Sequence, residues 1–318
     1  LYWQCRKGCG RSQGYSLMAK NFWAHMALLA VALIYGANFI IAKSVMPDPI
    51  EPTSFIALRV IGAASLFWII AFRKVVIPKR EDWWRFLACA VTGVATNQLL
   101  FFNGLALTSP VNASIIMTSN PIIVMVLSAI FLKQSITMLK ASGVALGAVG
   151  ASMLLWSSTG DVGGHSSLLG DVFILLNSVS YAIYLVMVKP LMQKYHPLDI
   201  VAWTFLIAIA LVFPFGGMGL KAVAWSSLDG WQWFCVAFVI VCTTFLTYLF
   251  NILAIHRLSP TIASSYIYLQ PVFAGIFALL LASVVERDYT RDISWFKMGC
   301  ALIIVLGVWL VSRPQRAQ

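Results

Sequence analysis

Ten apolar runs, each roughly 20 residues long and so able to cross a hydrocarbon core of about 30 Å, constrain this chain more than any other feature. They fall near 22–44, 52–72, 84–106, 110–132, 138–156, 169–189, 198–217, 231–254, 260–283 and 294–312. A backbone in lipid must satisfy its polar groups internally, and runs of this length do so as helices. Composition agrees. Of the 318 residues, 60% are hydrophobic and 10% charged, where a soluble domain carries roughly 25% charged residues on its wetted surface. The sequence therefore predicts an all-α membrane protein of ten transmembrane helices. The first run is too long for a cleaved signal peptide, carries Asn38 and ends at Lys43. Residues 1–21 read as an N-terminal tail, with 1–17, ahead of Met18, resembling an upstream remnant. Cys89, Cys235, Cys242 and Cys300 lie inside apolar runs, where a thiol behaves as a small hydrophobe.

The net charge is +11, from 22 Lys and Arg against 11 Asp and Glu. The basic residues are scattered through short loops, with no basic face and no nucleic-acid motif, which argues against a nucleic-acid partner. With the N-terminus in the cytoplasm, sixteen of them fall inside, among them Arg73, Lys74, Lys79, Arg80, Lys189, Lys194 and Arg257. Five fall outside, and Arg59 stays within a span. Excess Lys and Arg mark the cytoplasmic side. Both termini are expected there, as an even number of spans requires. The expected location is the plasma membrane, the inner membrane if the chain is bacterial.

An internal repeat follows. In the first half, Phe101-Phe102-Asn103 leads to Ser109-Pro110, Ala113-Ser114 and Asn120-Pro121; in the second, Leu249-Phe250-Asn251 leads to Ser259-Pro260, Ala263-Ser264 and Gln270-Pro271. Tyr35 and Lys43 match Tyr181 and Lys189. The repeats cover 22–156 and 169–312, joined by an external loop at 157–168 and followed by a short tail at 313–318. Five spans per repeat is an odd number, so the second copy is upside down. Inverted repeats of this kind belong to alternating-access carriers.

The prolines divide into two kinds. Pro110 and Pro260 suit the first position of a helix, with Ser109 and Ser259 as N-caps. Pro121 and Pro271 come eleven residues later, about 16 Å further along a helix and near mid-bilayer. There a proline frees the carbonyl four residues back, at Met117 and Ile267, and a freed carbonyl needs a partner or a wet cavity. These two prolines are the expected hinges, with Asn120 and Gln270 placing amides at the same depth.

At these residues the chain resembles the drug/metabolite transporter superfamily, in particular its EamA-type ten-helix members. The likeness rests on the paired stretches at 103–121 and 251–271, on Tyr35-Gly36-Ala37-Asn38-Phe39, on Arg59 and on Glu286. It implies a basket of helices with a central cavity lined mostly by helices 1–4 and 6–9, helices 5 and 10 being peripheral. It also implies export or exchange of amino acids, related metabolites or drugs, without a bound cofactor. One departure is Lys133-Gln134, where the family usually has an acid that only the second half keeps, as Glu286.

Ionisable groups within spans are costly and usually functional, and Arg59 suits a substrate carboxylate or phosphate. Polar residues concentrate in helices 1, 3, 6 and 8. Tyr35, Asn38, Asn97, Asn103, Asn177, Tyr181, Tyr248 and Asn251, with Asn120, Tyr266 and Gln270, complete the expected substrate-binding set. The competing readings are interhelical glue, about 0.6 kcal/mol per residue, for the amides and hydroxyls of helices 1, 3, 6 and 8, snorkelling or backbone pairing for Arg59, a satisfied kink for Asn120 and Gln270, and the interfacial belt for Tyr266. Gly143, Gly147 and Ala151 form a small-residue stripe that fits close packing within the bundle or across a homodimer. No Asp, Glu or His sits at mid-span and no phosphate loop is present, so neither a buried proton relay nor ATP drive has an obvious seat. A secondary transporter in the lipid bilayer, acting on a small molecule, is the leading expectation. The alternatives are a polytopic enzyme acting on lipid or isoprenoid, which lacks the expected acid or metal cluster, and a channel, which lacks a filter motif.

Overall fold

The structure, a computed structural model, describes residues 5–71, 75–132, 138–158, 167–258, 263–264, 266–282 and 294–312. Among these residues every regular element is helical. In chain order they are α1 (Cys5–Lys43), α2 (Pro52–Ala71), α3 (Arg80–Leu107) and α4 (Pro110–Met117 and Asn120–Leu132). Next come α5 (Met138–Ser158), α6 (Leu168–Met192), α7 (Pro197–Gly216), α8 (Gly230–Arg257), α9 (Tyr266–Leu280) and α10 (Trp295–Ser312). Seven of them, α1 over Phe22–Lys43 and α2, α3, α4, α6, α7 and α8, are long and apolar enough to cross a membrane. The apolar stretches of α5, α9 and α10 are shorter, at Ala141–Gly150, Tyr266–Leu280 and Trp295–Gly307. Ser259, Pro260, Lys133, Gln134 and Glu286 lie outside the described residues.

The packing repeats the sequence symmetry. α6 lies against α3 and α4, and in the same way α1 lies against α8 and α9. The remaining major pairs, α2 with α7 and α5 with α10, each join one helix to its counterpart in the other half. These are the contacts of two equivalent five-helix units that exchange their first helices.

Lipid tails are as apolar as leucine, so association inside the bilayer rests on close packing and polar contacts. Small residues supply the closeness. A Cβ on Gly36 would lie 2.3 Å from that of Phe273, so α1 and α9 meet nearly backbone to backbone. A Cβ on Gly307 would come within 2.6 Å of the Gly143 carbonyl and 2.7 Å of the Gly147 nitrogen. The glycines of the α5 stripe are thus used within the bundle, against α10. Ile69, Ile130, Leu279 and Leu302 stand exposed on the outer faces, where lipid would cover them. Trp84, Trp233 and Trp295 are exposed at helix starts, as an interfacial belt requires. Trp83 turns inward, edge-on to Trp203 at 5.2 Å.

Four helices are irregular, two where the sequence marks a break and two where none is visible. α4 is interrupted at Thr118 and Ser119, immediately before Asn120-Pro121. Its hydroxyls donate back to the Ile115 and Ile116 carbonyls at 2.5 and 2.7 Å, a local bond that competes with the helical ladder. α9 opens with a 3₁₀ turn, Tyr266–Tyr268, before Pro271. Ser109 caps α4 as expected, accepting from the Asn112 N–H at 3.2 Å with Pro110 next to it. The unforeseen irregularity is a wide, π-type winding at matching depths of the two halves, Val91–Ala95 in α3 and Val239–Leu246 in α8.

Candidate functional site

Residues of both halves line one cavity inside the bundle. α1, α2, α3, α4, α6, α8 and α9 all contribute to its wall. α5 and α10 do not, as expected of peripheral helices. α7, expected among the lining helices, contributes nothing, because it is stacked behind α2.

Arg59 is the cavity's only fully charged lining residue among those described, and it is 3% exposed. Two contacts hold it. Its Nε donates to Thr244 Oγ1 at 2.9 Å, and its guanidinium carbon lies 4.1 Å from the centre of the Phe102 ring. The first contact depends on the winding of α8. Thr244 Oγ1 donates in turn to the Val239 carbonyl, five residues back, at 2.7 Å, which leaves its oxygen lone pair for the guanidinium. The second is a cation–π contact, worth about 2 kcal/mol when desolvated. Phe55 and Phe101 brace Phe102 edge-on, at 5.9 and 4.9 Å.

Paired polar contacts tie the wall together, most of them across the halves. Asn97 and Asn177 each donate to the other's backbone carbonyl, at 3.4 and 2.7 Å. Asn251 donates to the Tyr181 hydroxyl at 2.6 Å. Tyr35 shares a 3.2 Å hydrogen bond with Thr247. Tyr248 donates to the Gly93 carbonyl at 2.7 Å, inside the loosened turn of α3, so the helix that carries one irregular segment is bonded to the backbone of the other. Tyr266 bonds to His25 at 2.7 Å. Several amide and hydroxyl atoms of the lining are buried without a protein partner: both polar atoms of Asn38, Gln98 Oε1, Asn177 Oδ1, Thr243 Oγ1 and Gln270 Oε1. Buried polar atoms are rarely left unpaired, and these five side chains bring six such atoms to the cavity wall.

Ten of the twelve residues expected from the sequence thus border one cavity: Tyr35, Asn38, Arg59, Asn97, Asn177, Tyr181, Tyr248, Asn251, Tyr266 and Gln270. Asn103 and Asn120 do not. Asn103 turns back to the Leu99 carbonyl of its own helix at 2.8 Å, and Asn120 donates to the Ser178 carbonyl of α6 at 3.2 Å. Both act as glue. Pro121 and Pro271 themselves are not lining residues, although Met117 and Ile267, whose carbonyls they bear on, are. Sequence reasoning missed Phe102 and Phe101 as the floor beneath Arg59, and missed Thr244 as its anchor. The only signal for the anchor was the Thr243-Thr244-Thr247 cluster in an otherwise apolar run.

Polar clusters close the bundle at both ends. At one end the carboxylate of Asp82, at the start of α3, receives Lys194 Nζ at 2.9 and 3.1 Å and the Tyr195 hydroxyl at 2.9 Å. Arg85 adds a contact at 3.3 Å. At the other end, Thr108 joins Lys43 of α1 to Asp171 of α6: its carbonyl accepts from Lys43 and its hydroxyl donates to Asp171. Each cluster bridges the two halves.

A duplicated, exchanged helical architecture around a polar-studded cavity defines a class of multi-pass membrane carriers. The chain belongs to the EamA-like transporter family, which matches it twice, over residues 22–156 and 168–313. It is similar to the uncharacterized transporter YyaM of Bacillus subtilis, 26% identical over 92% of this chain and 94% of that protein. An uncharacterized transporter of Archaeoglobus fulgidus is 23% identical over 93% and 99%. A chloroplastic WAT1-related protein of Arabidopsis thaliana is 25% identical over 93% of this chain and 70% of its own length. One crystal structure covers 91% of the chain with a TM-score of 0.61 at 14% identity, a likeness of fold alone. The chain is a membrane transporter of this family.

Proposed function

We propose that the protein is a secondary transporter that moves a small organic solute across the plasma membrane by alternating access, as an exporter or exchanger, with both termini in the cytoplasm. The observation that carries this reading is the cavity, because both halves build it and it contains a buried arginine and unpaired amides. The substrate-binding residues are the ten that border it. Rocking one half against the other would break one end cluster at a time and expose the same cavity alternately. Pro121 and Pro271 would act as the hinges of the two interrupted helices.

Purified protein reconstituted into vesicles tests this with radiolabelled amino acids and related metabolites. Saturable flux is expected, and it should disappear in Asn38→Ala and Arg59→Met. Flux that rises linearly with concentration for every solute, or steps at channel rates in single-channel recording, would end the carrier reading.

A further inference from the structure

We infer that the solute is an organic monoanion, a carboxylate on an apolar or aromatic body, and that Arg59 reads its charge. The inference rests on the cavity being a transport site and names the class of molecule that the site takes.

A guanidinium carries five N–H donors. Among the described residues only the Nε of Arg59 has a hydrogen-bond partner, the Thr244 hydroxyl, and none of the salt bridges includes Arg59. Both terminal nitrogens are therefore without a protein acceptor, at a position that is 3% exposed and borders the cavity. The described lining holds no Asp or Glu to neutralise the charge. The protein holds Arg59 still by its inner nitrogen and its flat face and leaves the two-pronged outer edge open. That edge fits a planar carboxylate through two parallel hydrogen bonds.

The rest of the wall restricts what is attached to the carboxylate. Leu28, Val31, Phe39, Phe101 and Ile267 give a largely apolar lining. No second cation is present among the described lining residues, which disfavours a dianion such as a phosphate monoester. No carboxylate is present there to receive an ammonium, which disfavours a zwitterion against the corresponding simple acid. Asn38, with both polar atoms unpartnered, can hold a neutral hydroxyl or amide on the same molecule.

The test is ligand-induced thermal stabilisation of the purified chain with aryl and alkyl carboxylates, each paired with its own amide and headed by 3-phenylpropionate and 3-phenylpropionamide. Phenylalanine serves as the zwitterionic control. At least one carboxylate is expected to bind about ten- to a hundredfold more tightly than its amide, the range for a hydrogen bond to a charged group. Arg59→Met should erase that preference, and Arg59→Lys should recover part of it. Should both variants fold poorly, charge displacement on solid-supported membranes carries the test on the unaltered protein. The carboxylate should produce a binding current and the amide none. Equal binding of acids and amides, tighter binding of phenylalanine than of 3-phenylpropionate, or no binding by any carboxylate would overturn the inference. Equal flux of acid and amide leaves the transporter reading intact while removing this one. Tight carboxylate binding without flux does the reverse.

Discussion

Arg59 on α2 and Thr244 on α8 are 185 positions apart in sequence and joined by a 2.9 Å hydrogen bond. The bond exists because α8 is wound wide at that level, so that Thr244 satisfies the Val239 carbonyl with its proton and offers its oxygen to the guanidinium. Thr244→Val keeps the shape and removes the acceptor. Affinity for the transported solute is expected to fall about three- to tenfold, the value of one ordinary hydrogen bond, while Thr244→Ser stays near the parent. Thermal-shift titration reads both. An unaltered affinity in the valine variant would mean that the Phe102 ring alone fixes the arginine.

Tyr248→Phe removes the only proton offered to the Gly93 carbonyl from α8 and leaves the ring in place. Loss of one buried hydrogen bond costs about 0.5–1.5 kcal/mol net, and the melting temperature in detergent should drop accordingly. Gln98 reaches the same hydroxyl at 3.5 Å, a long contact, so Gln98→Leu should cost less.

Lys194 provides a prediction in pH. The hydrogen bond that it donates to Asp82 raises its pKa above the ordinary 10.5, with the charge of Asp82 adding to the effect. A raised folded value means that the stabilisation is complete below about 10.5 and is lost as pH climbs through the higher folded value. The effect will be modest and salt-sensitive, because the Lys194 side chain is 43% exposed. Melting temperature measured from pH 8 upward should therefore fall more steeply in the parent than in Lys194→Met.

Gly307→Ala separates stability from transport. The added methyl would meet backbone atoms of α5 at Gly143 and Gly147, which cannot move aside as a side chain can. Overpacking of this kind costs about 1–3 kcal/mol. Neither α5 nor α10 touches the cavity, so the folded fraction should keep its KM. A raised KM would show that the α5–α10 seam communicates with the site.

The ten helices and the duplicated proline stretches were legible because both leave local marks: hydrophobic length in one case, missing N–H groups in the other. Much of the cavity wall was legible too, since an amide or an arginine in a span is conspicuous against leucine. What the sequence could not give was direction around the helix axis. Asn120 and Gln270 occupy equivalent places before equivalent prolines, yet Gln270 borders the cavity and Asn120 is buried against Ser178. The widened turns at Val91–Ala95 and Val239–Leu246 left no mark, because nothing in either segment forbids ordinary winding. They become visible only through the contacts made within them, Tyr248 to Gly93 in one case and Arg59 to Thr244 in the other.

The exchange of first helices carries a consequence for how such a chain can come into being. α1 finds its main neighbours, α8 and α9, only after more than two hundred further residues have been made, and α6 finds its own, α3 and α4, in what has already been inserted. A newly made first half therefore waits in the bilayer with an unmatched leading helix. Two separately expressed halves, 1–160 and 161–318, should accordingly recombine into one body in the same membrane, each supplying the helix that the other lacks.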